Sequence, residues 1–439
     1  MLRGLSSSFL PLLLPGLLAG AAAAQDAPLV FFGARIEPVD GPAIEQGVLV
    51  VQGGRIVAVG PAATPRPDGA IAIDCGGKTI VPGLVCSHSH IGSVAGADGS
   101  GPIQPEVRAL DGINPRDPGI QKAQAGGITA VNIMPGSGHL LSGQTLYCKL
   151  RDVRTVEELA IRNPDGSVAG GIKMANGTNP QREAPFPGTR GKAAALMRAQ
   201  LHRARDHQQK LAAAKDDPSK APERNLGLEA LVEVLDGKRV VHHHTHRQDD
   251  ILTVLRLQQE FGFRCVLHHV SEGWLAAKEI AAANVPCSVI VIDSPGGKLE
   301  AANLSLQTGA ILDAAGVLVG FHTDDGITDS RLFLRSAALA VRAGMPRAKA
   351  LAAVTIANAR MLDLQDRIGT LTVGKDADFV VLSGEPFSVD TRVEQTWVEG
   401  QKVFDLADPQ DRLFADGGFG ASDDQAVSLC CYGQQGGQQ

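Results

Sequence analysis

Histidines are concentrated at the ends of predicted strands in this chain. His88 and His90 follow an apolar run and are separated by one residue, and alternate strand residues point the same way, so both imidazoles face one site. Two later apolar runs end at His244 and His269, and a fourth ends near Asp324. Imidazole and carboxylate together suit zinc and similar divalent cations. Eight of the twelve histidines lie at such strand ends, namely His88, His90, His242, His243, His244, His246, His268 and His269. The sequence therefore predicts a metal site built from several strand ends.

The elements that must position these side chains alternate between strands and helices, which is typical of a parallel sheet. Strands are predicted over residues 80–86, 128–134, 145–150, 171–174, 239–243, 264–268, 285–292 and 316–321. Helical spacing of apolar residues predicts helices over 226–235, 250–261, 273–283 and 331–343. Eight strands in this setting predict an α/β fold with a closed (β/α)8 TIM barrel. The active site of such a barrel forms at the carboxyl ends of its strands.

Short β-rich segments with turns lie on both sides of the predicted barrel. One group falls within residues 28–79 and the other within 368–406. We expect the two groups to form one small β-sandwich domain from both chain ends, with the barrel over 80–367. Residues 408–439 are rich in Gly, Asp and Gln without an apolar period, which predicts a disordered tail.

Residues 1–24 have the organisation of an export signal. Arg3 precedes an apolar core over 9–18, and three small residues, 22–24, end the segment. The alternative is a membrane anchor, but the apolar run is shorter than the roughly 20 residues that a spanning helix needs. We therefore expect cleavage after Ala24, export to the periplasm or the extracellular space, and no membrane span in the mature chain.

Composition narrows the class of partner. The 41 Lys and Arg against 47 Asp and Glu give a net charge of −6, so the surface has no electrostatic reason to bind nucleic acid or anionic lipid. Aromatic residues make up only 4%, which argues against a base-stacking or sugar-stacking groove. We expect a small-molecule substrate. The composition is also compatible with a homo-oligomer. Single cysteines within apolar runs are expected to be buried hydrophobes, namely Cys75, Cys86, Cys148, Cys265 and Cys287.

Five segments resemble the amidohydrolase superfamily, in its imidazolonepropionase-like and secreted dipeptidase-like branch. Residues 82–90 (PGLVCSHSH) resemble the first-strand signature of that superfamily. Residues 244–251 (HTHRQDDI) resemble its fifth-strand segment, 269–273 (HVSEG) its sixth and 322–325 (HTDD) its eighth. Residues 368–378 (IGTLTVGKDAD) are similar to the stretch that leads back into the small sheet domain. These motifs are specific because four of them follow in the right order on the right strands.

The resemblance implies a ligand set for the metal site. His88 and His90 would bind one metal, His244 and His269 would complete the site, and Asp324 would bind metal and act as general base. Lys173 aligns with the lysine that many members carboxylate to bridge two metals. A buried lysine loses its proton readily, and its free amine can take up carbon dioxide; the alternative is an ordinary lysine at a strand end. One or two divalent ions, with Zn²⁺ expected, are implied.

Two positions depart from the family pattern. Cys86 replaces the usual Asp before His-x-His, which removes a carboxylate able to orient a ligand histidine. Thr178 stands where near relatives often carry Glu, so a second carboxylate is missing. Neither departure removes a ligand.

Four further residues are candidates for substrate contact. His246, Arg247 and His322 lie next to the implied ligands in the sequence, where they either contact substrate or serve ordinary hydrogen bonding. His139 lies in the loop after the second predicted strand and is the fourth candidate.

The implied reaction is hydrolysis of an amide-type C–N bond in a peptide-like or cyclic amide substrate, by metal-activated water. A mononuclear imidazolonepropionase-like or deaminase-like hydrolase is an alternative, which would leave Lys173 uncarboxylated. A catalytically impaired metal-binding homologue is the other alternative, because of Cys86 and Thr178.

Overall fold

The computed structural model describes residues 27–92, 98–291 and 298–417. These residues form 17 strands, β1 Leu29–Ile36, β2 Ile44–Gln52, β3 Arg55–Gly60, β4 Ile71–Asp74, β5 Thr79–Pro82, β6 Leu84–Ser89, β7 Ile128–Ile133, β8 Leu141–Gln144, β9 Leu146–Lys149, β10 Ile172–Ala175, β11 Val241–Thr245, β12 Cys265–His269, β13 Cys287–Ile290, β14 Val319–His322, β15 Phe379–Leu382, β16 Val393–Val398 and β17 Gln401–Asp405. They also form 11 α-helices, α1 Pro118–Ala125, α2 Val156–Leu159, α3 Arg190–Ala214, α4 Leu226–Leu235, α5 Gln248–Phe261, α6 Ala277–Ala282, α7 Thr308–Ala314, α8 Phe333–Arg342, α9 Arg347–Ala353, α10 Ile356–Met361 and α11 Pro409–Asp416.

One sheet combines strands from both ends of the described chain. Its strand order is β17-β16-β15-β5-β1-β2-β3, with β4 paired to β1. Val380 of β15 lies opposite Val81 of β5, so residues 299 positions apart in the chain are neighbours in this sheet. Its inner face buries Phe31, Phe379 and Trp397, and the Phe31 ring meets each of the other two edge-on. This aromatic cluster holds the two chain ends together.

The strand predicted over residues 80–86 is two strands in different sheets. Thr79–Pro82 pairs with β15, whereas Leu84–Ser89 pairs in parallel with β7. The chain crosses between the sheets at Gly83, where a Cβ atom would lie 2.1 Å from Oγ1 of Thr129. Only glycine permits this close approach. Because the residues on both sides of Gly83 are apolar, the hydrophobic pattern does not show where the chain passes from one sheet to the other.

The remaining strands form a six-stranded sheet, β14-β13-β12-β11-β10-β8, and a three-stranded sheet, β6-β7-β9. Strands β10 to β14 are parallel to one another, as expected. The expectation of an entirely parallel sheet was wrong. The third predicted strand corresponds to β9, which pairs antiparallel with β7, and β8 just before it pairs antiparallel with β10. An apolar run predicts a buried strand but carries no information about its direction.

Two of the four predicted helices agree closely with the structure. The helix over 226–235 is confirmed residue for residue, and Asn225 caps it by accepting a hydrogen bond from the backbone N–H of Leu228. Helix α5 begins two residues before the predicted start at 250 and ends, as predicted, at Phe261. All five cysteines within the described ranges are buried and free of disulfide bonds.

Part of the tail predicted to be disordered is helical. Helix Pro409–Asp416 begins with proline, and the Asp408 carboxylate caps it by accepting a hydrogen bond from the N–H of Gln410. The composition argument missed this helix because its signal is the local cap rather than an apolar period. The predicted export signal over 1–24 and the rest of the tail, 418–439, lie outside the described residues. Within the described ranges, the helices do not reach the length and hydropathy that crossing a bilayer requires.

Candidate metal centre

The strand ends converge as the parallel register requires. Ala175 at the end of β10 lies opposite His244 in β11, and Thr245 lies opposite His269 at the end of β12. His322 ends β14, opposite Ile290 in β13. Because parallel strands share one carboxyl edge, their terminal side chains meet there.

His88, His90 and Asp324 lie within direct reach of one another. Oδ1 of Asp324 is 3.2 Å from Nε2 of His88 and 3.0 Å from Nε2 of His90, and the two Nε2 atoms are 3.3 Å apart. The carbonyl oxygen of Met134 accepts a hydrogen bond from Nδ1 of His90 at 2.7 Å, which leaves Nε2 of His90 as the lone-pair nitrogen. These three side chains thus present two imidazole nitrogens and one carboxylate oxygen to a single point.

A second group of donors lies beside the first. Ligand atoms of His244, His246 and His269 all lie within 4.8 Å of one another, and His269 also groups with His88 and Asp324. Ser271 hydrogen bonds Nδ1 of His246 at 2.8 Å. His269 thus connects this second group to His88 and Asp324 of the first. The structure therefore brings together the predicted residues of the first, fifth and sixth predicted strands and Asp324.

The donor set fits a bound cation. In the part of the chain that the structure describes, both ring nitrogens of His244, Nε2 of His246 and Nε2 of His269 are buried without a hydrogen-bond partner. A buried polar atom without a partner costs about 1–3 kcal/mol, and four such atoms at one site are unusual in a folded protein. A divalent ion would provide a partner for one ring nitrogen each of His244 and His269, and nitrogen and carboxylate oxygen are suitable ligands for zinc.

Burial sets the charge of the predicted ligands. Desolvation, assisted by Lys173, holds the pKa of His88 well below 6.5, and burial likewise holds the pKa of His244 and His269 well below that value. The imidazoles are therefore neutral, as metal ligands must be. Burial alone would raise the pKa of Asp324, but the neighbouring imidazoles of His269 and His90 outweigh it and keep the pKa well below 3.8. Asp324 is consequently an anion at neutral pH.

Lys173 lies inside the cluster and is fully buried. Its Nζ atom is 3.1 Å from Nε2 of His88 and 3.1 Å from the sulfur of Met134. Desolvation lowers the pKa of Lys173 to about 7, against a partial opposing effect of Asp324. A large fraction of this amine is therefore unprotonated near neutral pH.

The chain turns sharply at two of the predicted ligands. His269 has a φ of +71° and Asp324 a φ of +50°, both in the left-handed region. A residue other than glycine in that region typically costs on the order of 1 kcal/mol and is characteristic of functional sites. The turns redirect both side chains from the strand ends into the cluster.

Two of the four predicted substrate contacts join this cluster. His246 stacks on His269 with ring centroids 4.9 Å apart, and Nε2 of His322 lies 3.1 Å from Nδ1 of His269. His139 instead contacts Arg182 and Phe186 in the loop after β10. Arg247 has a side chain 43% exposed and pairs with Asp249.

Sequence reasoning missed one imidazole donor. His268 groups with His88 and His322, their ligand atoms lying within 4.8 Å of one another. A hydrogen-bonded series connects its Nε2 to Nδ1 of His242 at 2.9 Å, and Nε2 of His242 to the Tyr147 hydroxyl at 2.8 Å. The doublet His268-His269 was visible in the sequence, but the family motif assigned only His269 to the metal site.

Comparisons with known proteins agree with this fold. The model of the amidohydrolase family matches residues 167–404. A solved amidohydrolase structure from Thermotoga maritima is 34% identical, superposes with a TM-score of 0.80, and is covered in full by 86% of this chain. The chain therefore belongs to the amidohydrolase family, as the sequence motifs predicted.

Two curated relatives extend the comparison. Amidohydrolase tasK of Hapsidospora irregularis is 28% identical over 374 residues, which is 78% of this chain but 38% of that protein. A 5-methylthioadenosine/S-adenosylhomocysteine deaminase of Symbiobacterium thermophilum is 27% identical over 405 residues, covering 81% of this chain and 85% of the deaminase. The chain thus spans well under half the length of the first of these relatives.

Proposed function

We propose that the protein is a metal-dependent hydrolase that cleaves an amide-type C–N bond in a small molecule, with Asp324 as its general base. The observation that carries the proposal is the convergence of His88 Nε2, His90 Nε2 and Asp324 Oδ1 within 3.3 Å of one another. Membership of the amidohydrolase family supports it.

His88, His90, His244, His269 and Asp324 would hold the metal, which when bound acidifies water and polarises the scissile carbonyl. Asp324 is ionised and lies at the centre of the donor set, so it can accept a proton from the attacking water. The same carboxyl then returns that proton to the leaving amine. His246 flanks the donors and keeps Nε2 without a partner among the described residues, so it would hydrogen bond the substrate, whereas both ring nitrogens of His322 already have partners in Ser288 and His269.

We further propose that the site would hold two zinc ions and that a carboxylated Lys173 would bind both of them. Two adjacent donor groups support binuclear binding, and the lowered pKa of Lys173 supports carbamate formation, because only the neutral amine takes up carbon dioxide. A mononuclear deaminase-type hydrolase is the second candidate, favoured by the deaminase relative that spans 81% of this chain. That candidate uses the same histidines with a free Lys173.

We also propose that β6 to β14 enclose one barrel of the (β/α)8 type, in which residues 141–149, through β8 and β9, would take the place of the third parallel strand. The backbone N–H of Asp324 donates to the carbonyl of His88 at 3.0 Å, which links β14 to β6. Residues 141–149 pair with β10 through β8 and with β7 through β9, which links the two sheets on the other side. The sheet built from both chain ends would be the small domain, predicted at 28–79 with 368–406 and continued by β5 to Pro82. The composition of residues 1–24 supports export.

Metal analysis combined with a substrate screen tests the proposed function. The purified full chain, assayed by elemental mass spectrometry, should contain one or two zinc equivalents. Dipeptides, N-acyl amino acids, cyclic amides and aminopurine nucleosides would be screened with a chelator-treated control. Release of an amine or carboxylate supports the hydrolase, release of ammonia from the nucleosides supports the deaminase, and a metal-free chain active on any of these contradicts both.

A further inference from the structure

Glu300 is a buried carboxylate close to the metal centre that no sequence motif indicated. It is only 3% exposed and lies in the single turn Leu299–Ala301 after β13. Its Oε2 atom accepts a hydrogen bond from the backbone N–H of Thr178 at 2.8 Å, in the loop after β10. Two separate strand-end loops therefore meet at this carboxylate.

The surroundings are shaped to hold one carboxylate oxygen. Gly177 has a φ of +77°, and a Cβ atom there would lie 2.6 Å from Oε2 of Glu300, so the loop leaves room for the carboxylate. The Arg190 guanidinium lies 3.9 Å from the same oxygen while it pairs with Asp250 at 2.9 Å. Together with the Thr178 N–H, these features fix Oε2 and thereby aim the other oxygen.

The other oxygen faces a predicted metal ligand. Among the described residues, Oε1 of Glu300 is buried without a hydrogen-bond partner, and so are both ring nitrogens of His244. The gap between Oε1 and Nε2 of His244 is 3.9 Å, about 1 Å longer than a hydrogen bond. The two groups are thus adjacent, and both lack partners among the described residues.

We propose that Glu300 is a positioning residue that accepts a hydrogen bond from Nε2–H of His244. That bond fixes the tautomer in which Nδ1 carries the lone pair for the metal, and it makes the imidazole a better ligand. Glu300 thus provides, from the loop after β13, an orienting carboxylate that the chain lacks at Cys86 and Thr178. The inference rests on the proposed function, since it requires His244 to bind metal.

Zinc affinity of the full chain, measured by competition with a chromophoric chelator, tests the role of Glu300. Glu300→Gln keeps the side-chain shape and an oxygen for the Thr178 N–H, but its amide group offers a donor to His244 and favours the wrong tautomer. We expect affinity to fall about 10–100-fold, while the unfolding temperature of the metal-free protein stays unchanged. The exposed Glu279→Gln variant is the matched control and should bind zinc like the wild type.

His244→Asn separates the two levels of the argument. If His244→Asn binds zinc as tightly as the wild type, the proposed metal centre is wrong. If His244→Asn weakens binding while Glu300→Gln does not, the role of Glu300 is wrong and the hydrolase proposal stands. Nitrogen-15 shifts of labelled histidine in the metal-free wild type, with His244→Asn for assignment, give a readout independent of folding in the Glu300 variant. A proton on Nε2 of His244 supports the inference, and a proton on Nδ1 overturns it.

Discussion

Replacing Lys149 by Met should destabilise the fold strongly, although this lysine is outside the metal centre. Lys149 ends β9, is 0% exposed, and its ammonium lies 2.9 Å from Asp376 and 2.5 Å from Asp378. Both aspartates lie just before β15, a strand of the sheet that combines both ends of the described chain. The ion pairs of Lys149 with Asp376 and Asp378 therefore join that sheet to β9. Methionine matches the lysine side chain in length but leaves the two carboxylates without this cation.

The size of the destabilisation follows from the partners that each carboxylate keeps after Lys149 is replaced. Asp376 keeps Arg55 at 2.6 Å and Arg367 at 3.0 Å. Among the described residues, the Asp378 side chain keeps only its hydrogen bond from the backbone N–H of Glu399 at 2.8 Å. Breaking a buried ion pair on one side costs about 3–5 kcal/mol, so we expect that loss from Asp378 alone. For a chain of this size the loss lowers the unfolding temperature by roughly 5 °C.

The sign of the pH dependence provides a second test of the Lys149→Met prediction. Burial already raises the pKa of Asp378 above 3.8, and Lys149 partly offsets that rise. Without Lys149 the folded-state pKa moves further above the unfolded value, so stability is lost as pH rises through that interval. The penalty should therefore be smaller at pH values near 5 than near 8, where the carboxyl must be ionised.

Urea unfolding followed by circular dichroism at both pH values measures the effect. Lys149→Met with Asp378→Asn should recover much of the lost free energy of unfolding, because the uncompensated charge is gone. Lys192→Met, at an exposed position of α3, should change stability by less than about 0.5 kcal/mol. A Lys149→Met protein within 1 kcal/mol of the wild type at the higher pH, or equally weakened at both, would refute the reasoning.

The remaining predictions concern the metal centre. His88→Ala combined with His90→Ala should release at least one zinc equivalent and abolish hydrolysis; unchanged zinc content by mass spectrometry would contradict the assignment. Asp324→Asn should lower kcat by roughly 100-fold or more while most zinc is retained, and near-normal kcat would mean that another group accepts the proton. Lys173→Ala should lose the second metal and Lys173→Glu should partly restore it, whereas one metal per chain in both the wild type and Lys173→Ala indicates the mononuclear enzyme.

The sequence by itself determined the elements whose signal is local. The alternation in His88-Ser89-His90 places two imidazoles on one strand face whatever surrounds the strand. The apolar period of Leu226–Leu235 and its Asn225 cap define a helix within a few residues of chain. The family motifs were readable for the same reason, because each is a short run with fixed spacing.

Tertiary structure alone decided the features that depend on distant neighbours. The direction of β8 and β9 and the crossing at Gly83 follow from packing against other strands, and an apolar run is compatible with either direction. Glu300 and Thr178 are 122 residues apart and meet only because β10 and β13 end at the same edge. The pKa of Lys173 falls because the folded cluster excludes water from its amine. The spacing of residues in the chain indicates which side chains can bind a metal. Their orientation, charge and hydrogen-bond partners are fixed only after folding has brought several strand ends together and excluded water from them.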